Sequence, residues 1–87
     1  MKAGYTEHSR HGGVQRIYKF ANGYGASVIR HRYSLGFDDG LWELAVLDKN
    51  RRICRTTLIA SIVEGWFTEE AVDDLLALIE QLPAQGD

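Results

Sequence analysis

The stretch "WFTEEAVDDLLALIEQLP", Trp66 to Pro83, constrains the fold more than any other part of this chain. At 100° per residue, Val72, Leu75, Leu76, Leu78, Ile79 and Leu82 fall on one side of a helix. Glu69, Glu70, Asp73, Asp74, Glu80 and Gln81 fall on the other. Thr68 is a good N-cap, since its hydroxyl can accept a backbone N–H of the first turn. Phe67 and Val72 have the spacing of a hydrophobic staple. Glu69 and Glu70 stand where the helix dipole favours anions, and Pro83 stops the helix. Such a helix must lay its apolar stripe on something. The rest of the sequence offers a small sheet, which needs that cover to bury enough surface.

The sheet is read from period-2 and turn signals. "VQRIYKF" (14–20) is β-branched and aromatic, as a strand should be. "ANGYG" (21–25) carries Asn-Gly, which tolerates positive φ at both centres of a tight hairpin. "ASVIRHRYS" (26–34) is then the partner strand, with faces Val28/Arg30/Arg32 and Ser27/Ile29/His31/Tyr33. "LGFDDG" (35–40) is a loop by its glycines and aspartates. "LWELAVLD" (41–48) is a central strand whose core side is Trp42/Leu44/Val46. "DKNRR" (48–52) is a turn, and "ICRTTLI" (53–59) a shorter fourth strand. Ser61 to Glu64 fits one helical turn ended by Gly65. Residues 1–13, polar and glycine-containing, are expected to be a loose N-terminal arm, and 84–87 a tail. The expectation is an α+β fold: a three- to four-stranded antiparallel β-meander covered on one face by a C-terminal amphipathic helix. It occupies a single domain, 14–83, because 87 residues allow no second one.

Charge is divided along the chain. All ten Lys and Arg lie in residues 1–55 with five acids, giving +5, while 56–87 hold seven acids and no Lys or Arg, giving −7. That asymmetry bears on partners rather than on fold. A single cysteine, Cys54, excludes an intrachain disulfide and fits a reducing compartment. Met1 leads into polar sequence without the apolar core of a signal peptide, and no apolar run approaches the ~20 residues of a membrane helix. The expected location is the cytoplasm.

No catalytic or metal signature stands out. His8 and His11 have no further ligand at metal spacing, and His31 reads as a half-exposed strand residue. Cys54 has Arg51, Arg52 and Arg55 nearby but reads as a buried structural thiol. "GYG" (23–25) lacks the Gly-Lys-Ser/Thr and following helix of a phosphate loop. No cofactor is expected. Two charged surfaces remain. The acidic one comprises Glu69, Glu70, Asp73 and Asp74 with the loop acids Asp38 and Asp39, a run of carboxylates without the alternating cations of a salt-bridged helix. The basic one comprises Arg16, Lys19, Arg30 and Arg32 with Tyr24 and Tyr33, the combination by which open sheets neutralise phosphates and stack bases.

"FANGYGASVIRHRYSLGFDDGLWELAVLD" with "EGWFTEEAVDDLLALIEQL" resembles a family of small uncharacterised proteins of bacteriophages and prophages, especially those of actinobacteria. The likeness spans about residues 14–82. It is carried by Asn22-Gly23-Tyr24-Gly25, the Leu41–Leu47 strand, and Gly65-Trp66 with Thr68-Glu69-Glu70. Arg52 stands where such proteins often have a turn glycine. The family carries no assigned activity, so the resemblance transfers no site residue. It implies a mobile-element origin and an inhibitor of a bacterial host or defence protein, as anti-CRISPR proteins are. The leading expectation is therefore a non-enzymatic protein that binds a bacterial protein or nucleoprotein complex, such as a CRISPR effector, through its acidic surface. The alternative is a single-stranded nucleic-acid binder using the basic hairpin.

Overall fold

In the computed structural model residues 4–53 and 65–83 are described. The strand expected at 53–59, the helical turn at 61–64, Cys54 and the tail at 84–87 lie outside them, except that Ile53 forms an isolated bridge to Leu47.

The helix forms as its sequence dictates. Thr68 caps it, its Oγ1 accepting the Ala71 N–H at 3.1 Å, and α1 runs Glu69–Glu80. Val72, Leu76 and Ile79 are buried and Leu75 and Leu82 partly so, while Leu78, at the border of the stripe, stays exposed. Among the described residues four strands precede it: β1 (Tyr5–Arg10), β2 (Gly13–Lys19), β3 (Gly25–Arg30) and β4 (Glu43–Leu47), antiparallel and in sequential order. The fold is α+β, a four-stranded antiparallel meander with one C-terminal helix.

The first strand corrects the expected arm. Tyr5 to Arg10 pair with Tyr18 to Gly13 through a two-residue turn, His11-Gly12, in which both residues take positive φ, 47° and 78°. That is the backbone a right-twisted hairpin favours, and here histidine occupies a left-handed position. All six β1 residues are exposed, which is why the stretch lacks an apolar signature.

The Asn22-Gly23 hairpin closes differently from a two-residue turn. Gly23 N–H donates to Phe20 O (3.1 Å) and Phe20 N–H to Tyr24 O (2.8 Å), and of the pair only Gly23 is left-handed, at φ 92°. This is a three-residue loop, a tight turn followed by a left-handed glycine. Asn22 is thereby free for another task. Its Nδ2 donates to the helix-end carbonyls of Ile79, Glu80 and Leu82 at 2.8, 3.2 and 3.1 Å, while its Oδ1 accepts the Tyr24 N–H. The last turn of α1 has no basic residue, so the hairpin tip satisfies carbonyls that a helix end leaves open. Asn22→Ala should cost about 1–3 kcal/mol in urea denaturation, the cost of stranding polar groups that have lost their partner. Asn22→Asp keeps the Oδ1 acceptor but cannot donate, and should lose nearly as much. An Asp variant as stable as wild type would exclude the cap.

The register settles which face the helix covers. Val14, Arg16 and Tyr18 on β2, Ala26, Val28 and Arg30 on β3, and Leu44 and Val46 on β4 share one face. Tyr18, Ala26, Val28, Leu44 and Val46, with Phe20 and Trp42, form one core with Val72, Leu76 and Ile79 of the helix. The Trp42/Leu44/Val46 side of the fourth strand is thus the core side. The opposite face presents Ile17, Ile29, Ala45 and Leu47 with Ile53 around a shallow groove of about 400 Å³. Asp48 closes the next turn, its Oδ1 accepting the N–H groups of Asn50 and Arg52. No described helix is long and apolar enough to cross a membrane.

Candidate protein-binding surface

Strand β3 ends at Arg30, earlier than its pattern implies. Arg30-His31-Arg32 is therefore not an alternating strand run. His31 is buried in a turn, and Arg32 lies beyond the sheet with its guanidinium 5.4 Å from the Tyr33 ring centre. The chain then makes a single 3-10 turn, Phe37–Asp39, between Gly36 and Gly40, both left-handed. It returns at Trp42, whose N–H and C=O bond to the C=O and N–H of Phe67 at 2.8 and 3.0 Å.

That bridge brings the loop onto the helix entry. Gly36 packs so closely on Trp66 and Leu41 that a Cβ there would stand 3.2 Å from the Trp66 Cα and 2.9 Å from the Leu41 Cβ. A Cβ on Gly65 would stand 2.3 Å from the Leu35 Cβ. Leu35 donates its N–H to Glu43 Oε1 at 3.0 Å. Trp66 is held in the left-handed region, φ 62°, a conformation few side chains adopt. Even so Trp66 is 57% exposed; Leu35 is 38% exposed and Tyr33 70%. Asp38 and Asp39 are exposed in the 3-10 turn that follows Leu35 and Gly36, and Glu69 and Glu70 stand in the first helical turn after Trp66. An exposed tryptophan and leucine on two loops that pack together, with exposed carboxylates next to both in sequence, is the composition of an interface centre with a charged rim.

The two charged surfaces divide in the fold. Arg16 points to the helix side, its guanidinium 4.9 Å from the Tyr5 ring centre and 4.4 Å from that of Trp42. Its Nη1 lies 3.4 Å from Glu69 Oε1 and its Nε 3.5 Å from Glu7 Oε1. Burial opposes its charge, but Glu69 together with the Tyr5 and Tyr18 phenols holds the group above its usual range. Burial also pushes the Tyr18 phenol up. Arg30 lies over the same tryptophan at 4.3 Å and donates to Gly40 O. Lys19 belongs to the other face by register, and Tyr24 packs on the core. The structure brings Arg16 and Arg30 together over Trp42 and Arg32 beside Tyr33, but sends Lys19 to the opposite face and Tyr24 onto the core. Of the six residues of the expected basic surface, Arg32 and Tyr33 are exposed neighbours.

The acidic set divides too. Glu69 is committed to Arg16, so basic sheet and acidic helix meet within one molecule at this point. Glu70 and Asp74 are exposed and turn away from the buried stripe, and Asp73 is half-buried. Among the described residues no group of three or more His, Cys, Asp or Glu could hold a metal ion. Trp66 and Leu35 were not singled out as binding residues by their sequence. The available signal was an aromatic residue beside Gly65, outside any periodic element. These features define a small α+β protein with an open sheet and an exposed aromatic patch at its helix entry. No family model, curated protein or solved structure matches the chain.

Proposed function

We propose that this chain is a non-enzymatic binding protein. It docks a cationic surface of a bacterial protein through Trp66 and Leu35, with Asp38, Asp39 and Glu70 as the rim. The single observation that carries this reading is Trp66: a large aromatic residue 57% exposed, on a left-handed backbone packed against Gly36 and followed by the Phe67 bridge. Leaving such a ring in water forgoes about 2 kcal/mol or more of burial. A partner that covers it recovers that energy, and the surrounding carboxylates select a basic partner and speed encounter. The resemblance to phage proteins supports a host or defence protein as the target, with an inhibitory outcome and an anti-CRISPR role as its concrete version. The nucleic-acid reading has less support, since Lys19 lies on the opposite sheet face from Arg16 and Arg30.

The test compares captures from a bacterial lysate by the wild-type chain, by Trp66→Ala and by the triple variant Asp38→Lys, Asp39→Lys, Glu70→Lys. Proteins held by wild type should be lost with both variants. For a purified target the Trp66→Ala affinity should fall about 30-fold, the effect of truncating an interface anchor worth ~2 kcal/mol. Circular dichroism should be unchanged, because the ring lies outside the core. Undiminished affinity of both variants for every captured protein rejects the surface.

A further inference from the structure

His31 stands where β3 leaves the sheet, and it is only 7% exposed. Its Nδ1 accepts the Tyr33 N–H at 3.2 Å. Its own N–H donates to Ser34 Oγ at 2.9 Å, and the Ser34 hydroxyl and N–H both donate to the His31 carbonyl at 2.8 Å. A ring nitrogen that accepts carries no proton, so the imidazole is neutral and protonated on Nε2. An added proton must go to Nδ1, where it turns an acceptor into a donor facing another N–H.

The surroundings make that proton unwelcome. The His11 ring, from the β1–β2 turn, meets the His31 ring edge-on with centres 5.0 Å apart, and the Tyr33 ring closes the group. Arg10, at the end of β1, acts on His31 too, and Arg32 is its neighbour in the turn. Glu43 on β4 is the acid that opposes them, and its carboxylate already accepts the Leu35 N–H. Burial first, then His11, hold the His31 imidazole below its ordinary range; Glu43 pulls it back and Arg10 presses it down again.

We propose that His31 makes the turn from Arg30 to Leu35 an acid-sensitive latch: a proton on Nδ1 breaks the bond from Tyr33, releases the turn, and loosens Leu35 at the docking surface. The last consequence rests on the binding function proposed above; the latch itself does not. The sign follows from linkage. A histidine held low in the closed state binds its proton more readily once the turn opens. The latch is therefore at full strength above the ordinary value of 6.5 and weakens as pH falls below it.

The test needs no partner. The isotope-labelled full chain is titrated from alkaline to acidic pH by NMR, following the imidazole carbons and the backbone amides. The His31 midpoint should lie below 6.5, with the Tyr33, Ser34 and Leu35 amides shifting at that midpoint and the Tyr33 amide losing hydrogen-exchange protection as the ring charges. His11→Gln should move the midpoint upward. His31→Asn keeps an acceptor near the Nδ1 position without a titrating group, and should abolish the amide shifts. A His31 midpoint at or above 6.5, turn amides that ignore it, or an unchanged pH response in His31→Asn would each overturn the latch. Should His31→Asn fail to fold, the wild-type and His11→Gln titrations still decide.

Discussion

Trp42→Ala should leave the purified chain largely unfolded at room temperature, with its far-UV circular dichroism lost and no cooperative thermal transition. Trp42 is 1% exposed and belongs to the core that joins sheet and helix. Its backbone also makes both hydrogen bonds that tie Phe67, and hence the helix entry, to the sheet. Truncating a buried tryptophan costs about 3–5 kcal/mol. The two guanidinium groups over its ring add ~1 kcal/mol or more, since both would lose their aromatic platform. A domain this small holds on the order of 5 kcal/mol in all, so the sum exhausts it. Trp42→Phe separates the contributions. It keeps an aromatic surface and removes the buried Nε1, which has no hydrogen-bond partner among the described residues. Its loss should be ~1–2 kcal/mol, with a cooperative transition retained. An alanine variant that melts within about 1 kcal/mol of wild type would place the core elsewhere.

What sequence could reveal here follows from range. The helix was legible because its cap, staple and stripe are all written within fifteen residues, and each reappears: Thr68 capping Ala71, Val72 buried, Ile79 buried. The core side of β4 was legible for the same reason, by alternation of Trp42, Leu44 and Val46. β1 was not, because an edge strand with six exposed residues needs no apolar pattern; its only local mark is the turn at His11-Gly12. Asn22 was read as a turn residue, and its larger task depends on a helix end 57 residues away, which no local window contains. The exposed patch was hidden for a related reason. Leu35 and Trp66 are unremarkable in separate loops and acquire meaning only when the Trp42–Phe67 bridge brings those loops into contact.

The charge split gains a partial physical account from the same contacts. Sequence shows cations in one part and acids in the other, without saying whether they pair. Arg16 and Glu69, 53 positions apart, do. Glu69 is 47% exposed at its side chain, so this pair contributes at most about 1 kcal/mol and positions more than it stabilises. Its use is geometric: it ties the first turn of α1 to β2. Reversing Glu69 would therefore confound folding with binding, which is why the docking test leaves it in place.

Gly13→Ala should be nearly as damaging as loss of the tryptophan, for an unrelated reason. A Cβ at Gly13 would stand 2.1 Å from the Arg30 carbonyl oxygen, 2.7 Å from the His31 Cα and 2.9 Å from the His31 Cβ. Two of these atoms are backbone and the third is fixed to it, so no flexible side-chain end can yield. Either β2 separates from the end of β3 or the Arg30 peptide rotates, and both dismantle the turn around His31. The cost should be about 3 kcal/mol or more, the upper end of overpacking. Gly12→Ala is the informative contrast. Gly12 is left-handed, φ 78°, yet nothing lies within 4 Å of its added Cβ. That change should cost only the conformational strain, about 1–2 kcal/mol. Urea denaturation of the two variants distinguishes steric from conformational cost. If Gly12→Ala proves the more damaging, the close approach of β2 to His31 is wrong. If Gly13→Ala is the more damaging and its residual folded fraction also titrates His31 nearer the ordinary value of 6.5, then the crowding that excludes the methyl group is the same crowding that keeps the imidazole dry.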